Sequence, residues 1–289
     1  MTQAVRDHGL AQRKFNDFET WPSLNRDLRF HPARTESPKR LTRAQVDQYN
    51  TQGYVKNLRV FSDEEITGHR EYFDRLLARH MSEGADSYSL RRMQVYCQPL
   101  WDIITNPIIL DHVEDILGPN IVAWGQQYFC KMPGDGKPVA WHQDASYWPL
   151  TPARTVTMWL AVDDADRDNG AMQVIPGTHT LGHLEFDMSG ADDDSVLPQK
   201  IKGIERFGEP VYFEMRAGEM SLHADMLVHG SDPNRSNRRR CGLTIRYAAA
   251  EVLSLDDGWN KNSILCRGVD PDNHWANIPR PETDYMDAE

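Results

Sequence analysis

The sequence predicts an α+β fold, a β-sandwich or barrel buttressed by helices that come first in the chain. Three observations carry this. Two helix-start signals and a helix-stop signal all fall before residue 120. From Ile121 the texture changes to short β-like runs separated by Gly, Pro, Asp and Asn, the pattern of an all-β core. Helices first and strands after give a layout in which the helices cover one sheet.

The elements follow in order. Residues 1–40 are polar and irregular and read as an N-terminal arm, with Trp21 and Phe30 as its anchors. Thr42-Arg43-Ala44-Gln45 and Ser62-Asp63-Glu64-Glu65 are capping-box patterns, in which a hydroxyl and a carboxyl or amide satisfy each other's orphan backbone N–H groups. They open helices from Thr42 to about Gln52 and from Ser62 to about Met81. Between them GYVKNLRVF alternates like a strand. A third helix covers Ile108 to Leu117 and stops at Gly118-Pro119. The strand-like runs are IVAWGQQYFCKM, VAWHQ, TVTMWLAVD, AMQVIPG, PVYFEM, EMSLHADMLVHG and GLTIRYAAA. The tail from Leu255 to Glu289, rich in Pro, Asp and Trp, is expected to wrap this core. There is no internal repeat, so residues 41–289 read as a single domain.

Composition narrows the function classes. The chain has 289 residues, 39% hydrophobic and 26% charged, with a formal net charge of -11. That is enough apolar material for one sizeable core. An acidic chain argues against a nucleic-acid or anionic-membrane partner. Cys97, Cys130, Cys241 and Cys266 form no C-x-x-C pair and are too few for a disulfide scaffold. The N-terminus lacks the apolar core of a secretory signal, and no apolar stretch reaches the ~18–20 residues of a membrane span. The expected location is the cytoplasm.

Trp141-His142-Gln143-Asp144 carries an H-x-D. In a strand, residues i and i+2 point the same way, so His142 and Asp144 present an imidazole and a carboxylate to one point. His229 closes an alternating run just before a turn and supplies a third ligand. Two histidines and one carboxylate on one face leave three positions open, the facial arrangement of non-haem Fe(II) oxygenases. An H-x-D alone more often marks a surface ion pair, and a second one, His223-Ala224-Asp225, is read as structural because it lies too near His229 for the two to sit on separate strands. His179, His183 and His274 read as surface or capping residues. Arg240 follows His229 by eleven residues. Arg238, Arg239 and Arg240 have a bland reading as a solvated turn. Alternation nevertheless puts Arg240, Gly242, Thr244 and Arg246 on one side of a strand, where an arginine fork grips a dicarboxylate better than lysine does.

Four stretches resemble the phytanoyl-CoA dioxygenase family of Fe(II)/2-oxoglutarate oxygenases. They are LTRAQVDQYNTQGYVKNLRVFSDEEI, YFCKMPGDGKPVAWHQDASYWPL, RDNGAMQVIPGTHTLG and VHGSDPNRSNRRRCGLTIRY, spread from Leu41 to about Ala248. The resemblance implies a double-stranded β-helix, a jelly-roll and cupin-like core. It implies iron on His142, Asp144 and His229, and the distal carboxylate of 2-oxoglutarate on Arg240. Ser231, Trp159 and, less directly, Gln127 fall where the family contacts the cosubstrate. Some members carry a lysine in the segment before the Gly-Pro, where this chain offers Gln98, so the carboxylate pocket departs from that pattern.

The implied reaction consumes 2-oxoglutarate and O2, releases succinate and CO2, and hydroxylates a C–H bond. Related halogenases replace the carboxylate ligand with a small residue; Asp144 therefore favours hydroxylation. Two other classes remain open: a catalytically inert barrel used as a binding module, and a cupin-type dioxygenase without cosubstrate. The substrate expected is a small polar metabolite, since no basic cluster addresses a CoA phosphate. Members of similar length act on organophosphonates, amino-acid derivatives and natural-product intermediates, some by desaturation or ring formation. The segment FHSDFETWH of ectoine hydroxylases is absent near the metal loop. Tyr147 and Trp148 are candidates to line the substrate pocket, with aromatic packing as the alternative role. Oligomeric state is not legible.

Overall fold

The computed structural model describes residues 21, 24–189 and 194–287. Most of the N-terminal arm, residues 1–20 with 22 and 23, lies outside them. Both expected capping boxes form. Thr42 opens α1 (Arg43–Gln52) and Ser62 opens α2 (Asp63–Ser82), each side chain accepting from the backbone N–H three residues on while that residue's side chain reaches back. Caps of this kind are worth about 1 kcal/mol each. In α2 the first turn is acidic and the last carries Arg79 and His80, which suits the helix dipole. The third expected helix is α4 (Pro107–Leu117), capped by Asn106. A short α3 (Gln98–Ile104) precedes it and was not foreseen.

The strands are β1 (Tyr54–Arg59), β2 (Ile121–Lys131), β3 (Val139–His142), β4 (Leu150–Thr151), β5 (Thr155–Ala161), β6 (Met172–Val174), β7 (Asp187–Met188), β8 (Gln199–Lys200), β9 (Val211–Tyr212), β10 (Glu219–Ala224), β11 (His229–Ser231), β12 (Arg240–Ala249), β13 (Leu253–Ser254) and β14 (Ile264–Arg267). They make a six-stranded sheet in the order β1-β10-β5-β12-β2-β14 and a four-stranded sheet in the order β3-β11-β6-β9. Every pairing in both is antiparallel. Two further pairs, β4 with β13 and β7 with β8, complete the jelly-roll core.

Alternation along three central strands decides what faces what. Val156, Met158 and Leu160 of β5, Met220 and Leu222 of β10, and Leu243, Ile245 and Tyr247 of β12 are buried in one core with Phe73, Leu76, Leu100, Ile109 and Val113 of the helices. The intervening residues of the same strands, among them Thr157, Trp159, His223, Arg240, Thr244 and Arg246, line a pocket on the opposite face. The helices thus cover one face of the large sheet, and the other face is left for polar chemistry.

Both termini of the described chain are tied down. The Asp115 carboxylate accepts from the backbone N–H groups of Lys39, Arg40 and Leu41 at 2.6, 2.9 and 2.8 Å. Trp21 is buried edge-on against Trp259, and Phe30 packs against Tyr49, so both expected anchors are seated. The guanidinium of Arg26 donates to the carbonyls of Ala145 and Trp148, within the metal loop. At the other end Asp284 accepts from Tyr72 Oη at 3.0 Å and from the Gln98 N–H at 2.8 Å, and Trp275 Nε1 donates to the Ala250 carbonyl at 3.2 Å. Among the described residues no helix is long and apolar enough to cross a membrane.

Candidate active site

His142 ends β3 and lies directly across from His229, the first residue of β11. β3 stops there, and Asp144 sits in the turn that follows. Gln143 points away: its Nε2 donates to the carbonyls of Gly182 and Met226 at 2.9 and 2.7 Å, and its Oε1 accepts from the Leu184 N–H at 2.8 Å. That staple holds the H-x-D open toward the cavity. All three side chains are buried, and one donor atom from each lies within 4.8 Å of the other two. His142 Nε2 and His229 Nε2 stand 3.6 and 3.8 Å from Asp144 Oδ1.

The hydrogen bonds behind these atoms fit a divalent metal. His142 Nδ1 lies 2.7 Å from the Ala140 carbonyl and His229 Nδ1 lies 2.9 Å from the Leu227 carbonyl. A carbonyl only accepts, so each Nδ1 carries the proton and each Nε2 lone pair faces the cavity. The Thr157 hydroxyl donates to Asp144 Oδ2 at 2.8 Å, which leaves Oδ1 turned to the histidines. Burial opposes ionisation of Asp144, but the neighbouring His142, His223, His229 and Arg246 side chains outweigh it and hold the carboxyl well below its usual range. Burial, with His142 beside it, holds the His229 imidazole well below its usual value and therefore neutral. Two imidazoles and a carboxylate are the donor set that a ferrous site of this kind uses.

Arg240 starts β12 and is buried in the same pocket. Its Nε donates to the Gly170 carbonyl at 3.1 Å and an Nη donates to the Phe129 carbonyl at 3.3 Å. A longer contact of 3.5 Å reaches Ser231 Oγ, and the guanidinium carbon lies 5.7 Å from the Trp159 ring centre. Two glycines make this possible. Gly170 has φ +79°, and a Cβ there would stand 2.6 Å from the Asp232 carbonyl. A Cβ on Gly242 would stand 2.0 Å from the Trp159 indole, so the indole occupies space that any other residue would fill. Trp159, Ser231 and Arg240 therefore converge as expected.

Two other residues, Gln127 and Gln98, end elsewhere. Gln127 Nε2 donates to the Tyr88 carbonyl at 3.0 Å, and its side chain lines a wider cavity of about 400 Å³ outside the metal pocket. Gln98 does not reach the site, because its Nε2 donates to the carbonyls of Pro281 and Glu282 in the tail. A buried lysine does stand beside Arg240. It is Lys131, the cross-strand partner of Arg240, with Nζ donating to the carbonyls of Lys137 and Asp232 at 2.7 and 2.8 Å. Tyr147 and Trp148 both line the outer cavity. Each also packs: Tyr147 stands edge-on to His142 at 5.7 Å between ring centres, and Trp148 to Trp124 at 4.7 Å.

His223 corrects the sequence reading. Its nearness to His229 in sequence argues against a separate strand, yet β10 and β11 belong to different sheets, joined by residues 225–228. His223 is buried, its ring centre is 4.8 Å from that of His229, and its Nε2 is 3.8 Å from Asp144 Oδ2. Neither ring nitrogen has a hydrogen-bond partner. Thr157 was also missed; its position two residues before Trp159 on the same strand face was the available signal. His179 is not at the surface. It is fully buried against Phe30, with Nε2 at 3.1 Å from the Asn50 carbonyl.

Residues 49–242 match the phytanoyl-CoA dioxygenase (PhyH) family. The chain belongs to the phytanoyl-CoA dioxygenase family. It is 25% identical over 268 residues to the peroxisomal phytanoyl-CoA dioxygenase of Bos taurus, covering 83% of this chain and 80% of that one. It is 28% identical over 237 residues to a probable alpha-ketoglutarate-dependent hypophosphite dioxygenase of Stutzerimonas stutzeri, covering 73% of this chain and 80% of that one. Among solved structures, the non-heme monooxygenase ThoJ has a TM-score of 0.67 at 23% identity, over 83% of this chain and 89% of ThoJ. CytC3 with Fe(II) and alpha-ketoglutarate has a TM-score of 0.61 at 21% identity, over 85% of this chain and 99% of CytC3. These two likenesses show the fold. As a member of the family the chain is a 2-oxoglutarate-dependent non-haem iron dioxygenase, with Fe(II), 2-oxoglutarate and O2 as its cofactor and cosubstrates.

Proposed function

We propose that this PhyH-family oxygenase hydroxylates an unactivated C–H bond of a small polar metabolite, with release of succinate and CO2. The observation that carries the reading is the convergence of one donor atom each from His142, Asp144 and His229 within 4.8 Å, in the same pocket as buried Arg240. His142, Asp144 and His229 hold the iron, and Arg240 takes the distal carboxylate of 2-oxoglutarate, with Ser231 and Trp159 beside it. Bound iron supplies the oxidising chemistry with O2 and 2-oxoglutarate. Thr157 fixes the Asp144 carboxylate, and the Ala140 and Leu227 carbonyls fix the imidazole tautomers. The aromatic residues of the outer cavity shield the reacting bond from water. Gln127 belongs to the substrate side of the site rather than to the cosubstrate. Residues 41–289 act as one catalytic domain in the cytoplasm, with residues 1–40 an arm and no nucleic acid or membrane as partner.

A cavity of about 400 Å³ lies at the small end of ligand sites, which supports a small substrate. The relative named for hypophosphite favours a second reading, in which the substrate carries phosphorus. The test is a panel of small acids, amines and phosphonates scored for succinate release and, by mass spectrometry, for one added oxygen. The expected result is both signals together from at least one member. Product that has lost two hydrogens instead would replace hydroxylation by desaturation, and no succinate from any member or from 2-oxoglutarate alone would defeat the reading.

A further inference from the structure

We propose that the outer cavity is an anion site, in which Arg246 grips the carboxylate or phosphorus oxyanion of the substrate. This deepens the reading above and rests on it. Arg246 belongs to β12, six residues past Arg240, and lines both the metal pocket and the outer cavity. Its guanidinium is therefore placed between the expected iron and the space left for substrate.

Arg240 and Arg246 share a strand face but not an environment. Arg240 donates to three oxygens of the protein. Arg246 has no such set. Its Nε is enclosed and without a hydrogen-bond partner among the described residues, and its guanidinium lies 6.0 Å from the Trp124 ring centre and 5.7 Å from that of Trp148. A planar cation packed against a pair of indoles is held in place by them, and its N–H groups on the side away from the rings can take an anion. An enclosed polar group without a partner costs about 1–3 kcal/mol, more when charged, and an anion held by the guanidinium offsets that cost.

The backbone aims this side chain deliberately. Arg246 pairs with Gly125, while Tyr247 pairs with Ala123, so Trp124 is an extra residue bulged out of β2. A bulge re-aims side chains and is frequent beside active sites. Here it brings Trp124 to Arg246. The arginine stem runs directly over Gly125, where a Cβ would make an ordinary contact of 3.5 Å with Arg246 Cδ.

Charge counting gives the sign of the ligand. Ferrous iron brings two positive charges, Asp144 one negative, 2-oxoglutarate two negative and Arg240 one positive. These cancel, and with iron and 2-oxoglutarate in place Asp144 no longer balances Arg246. Arg91 lines the same cavity and adds a second positive charge near Arg246. Asp86 and Asp194 are the acidic residues of the outer wall; Asp86 is engaged in capping the Tyr88 N–H at 3.0 Å, and Asp194 is exposed at the rim. An anionic head group at Arg246 completes the balance, and the tryptophan wall accommodates an apolar portion.

The test uses the full chain loaded with Fe(II) and saturating 2-oxoglutarate under anaerobic conditions. The visible charge-transfer absorption of bound 2-oxoglutarate reports the inner site. Phenylacetate, hexanoate and phenylphosphonate are then titrated against phenylacetamide and hexanamide, followed by tryptophan fluorescence and calorimetry. The expected result is anions at least about tenfold tighter than their neutral amides, the size of a charge-assisted hydrogen bond. In Arg246→Gln that preference falls to about one, and in Arg246→Lys part of it returns. Comparing phenylacetate with phenylphosphonate distinguishes a carboxylate from a phosphorus oxyanion as the natural head group. Equal binding of anions and amides by the unaltered protein overturns the inference without any variant, as does an undiminished preference in Arg246→Gln, while the intact absorption leaves the inner-site reading standing. Absence of the absorption overturns that reading and this inference with it.

Discussion

The inner pocket and the outer cavity are built from the same strands but on opposite principles. In the inner pocket the expected ligands and Arg240 are tethered: both Nδ1 atoms to carbonyls, Asp144 Oδ2 to Thr157, and Arg240 to Gly170 and Phe129. In the outer cavity Arg246 rests on ring faces and its Nε has no partner. The difference separates two kinds of ligand. Iron and 2-oxoglutarate are common to the chemistry, so their site is pre-organised by second contacts. The substrate distinguishes one member from another, so its site keeps unspent hydrogen-bond capacity.

Removing a tethered inner group has the largest expected effect. Asp144→Ala deletes a ligand outright and is expected to lower succinate release by more than about 100-fold, beyond the 10–100-fold typical of outer contacts; chelator competition measures the accompanying loss of Fe(II) affinity. Undiminished, substrate-coupled succinate production in this variant would sink the metal assignment. Arg240→Ala is expected to raise the KM for 2-oxoglutarate by about 30- to 100-fold, as loss of a charged, multiply bonded anchor does. If turnover persists without 2-oxoglutarate, the cosubstrate-free class is restored. Thr157→Val keeps shape and removes only the hydroxyl that orients Asp144, so Fe(II) affinity is expected to fall by about tenfold with little change in 2-oxoglutarate binding.

The smallest effect concerns stability. Burial, with Arg240 beside it, pushes the Lys131 ammonium down to about 7 from 10.5. Below about 7 both folded and unfolded chains are protonated and the folded state bears the full cost of the buried charge. Between 7 and 10.5 the folded protein sheds a proton that the unfolded chain keeps, so this group's contribution to stability rises with pH across that window. Urea midpoints at the two ends of the window are expected to differ less in Lys131→Met than in the unaltered protein. An equal difference in both would show that Lys131 is not the group responsible.

Local signals were legible and long-range ones were not. The two capping boxes, the helix from Ile108 to Leu117 and the inward face of β12 follow from spacing alone, because caps and strand alternation are set by neighbours in sequence. The H-x-D was readable even though β3 stops at His142, since the i and i+2 relation survives the turn. His223 was misplaced because residues 225–228 carry the chain from one sheet to the other, a crossing that no local pattern announces. Trp124 and Arg246 meet only through a bulge, and Gln98 turns to a tail that lies more than 180 residues further on. His179 reads as a surface or capping residue, but it is buried with Phe30 of the arm edge-on against it.

The most direct measurement is a crystal structure of the full chain grown anaerobically with Mn(II) in place of iron and with 2-oxoglutarate, using anomalous scattering to place the metal. The expected result is metal bound by His142 Nε2, His229 Nε2 and Asp144, with the distal carboxylate of 2-oxoglutarate on Arg240 and Arg246 left for a further ligand. Metal held by His223 in place of His229, or 2-oxoglutarate anchored on Arg246, would contradict the division between a tethered inner site and an open outer one.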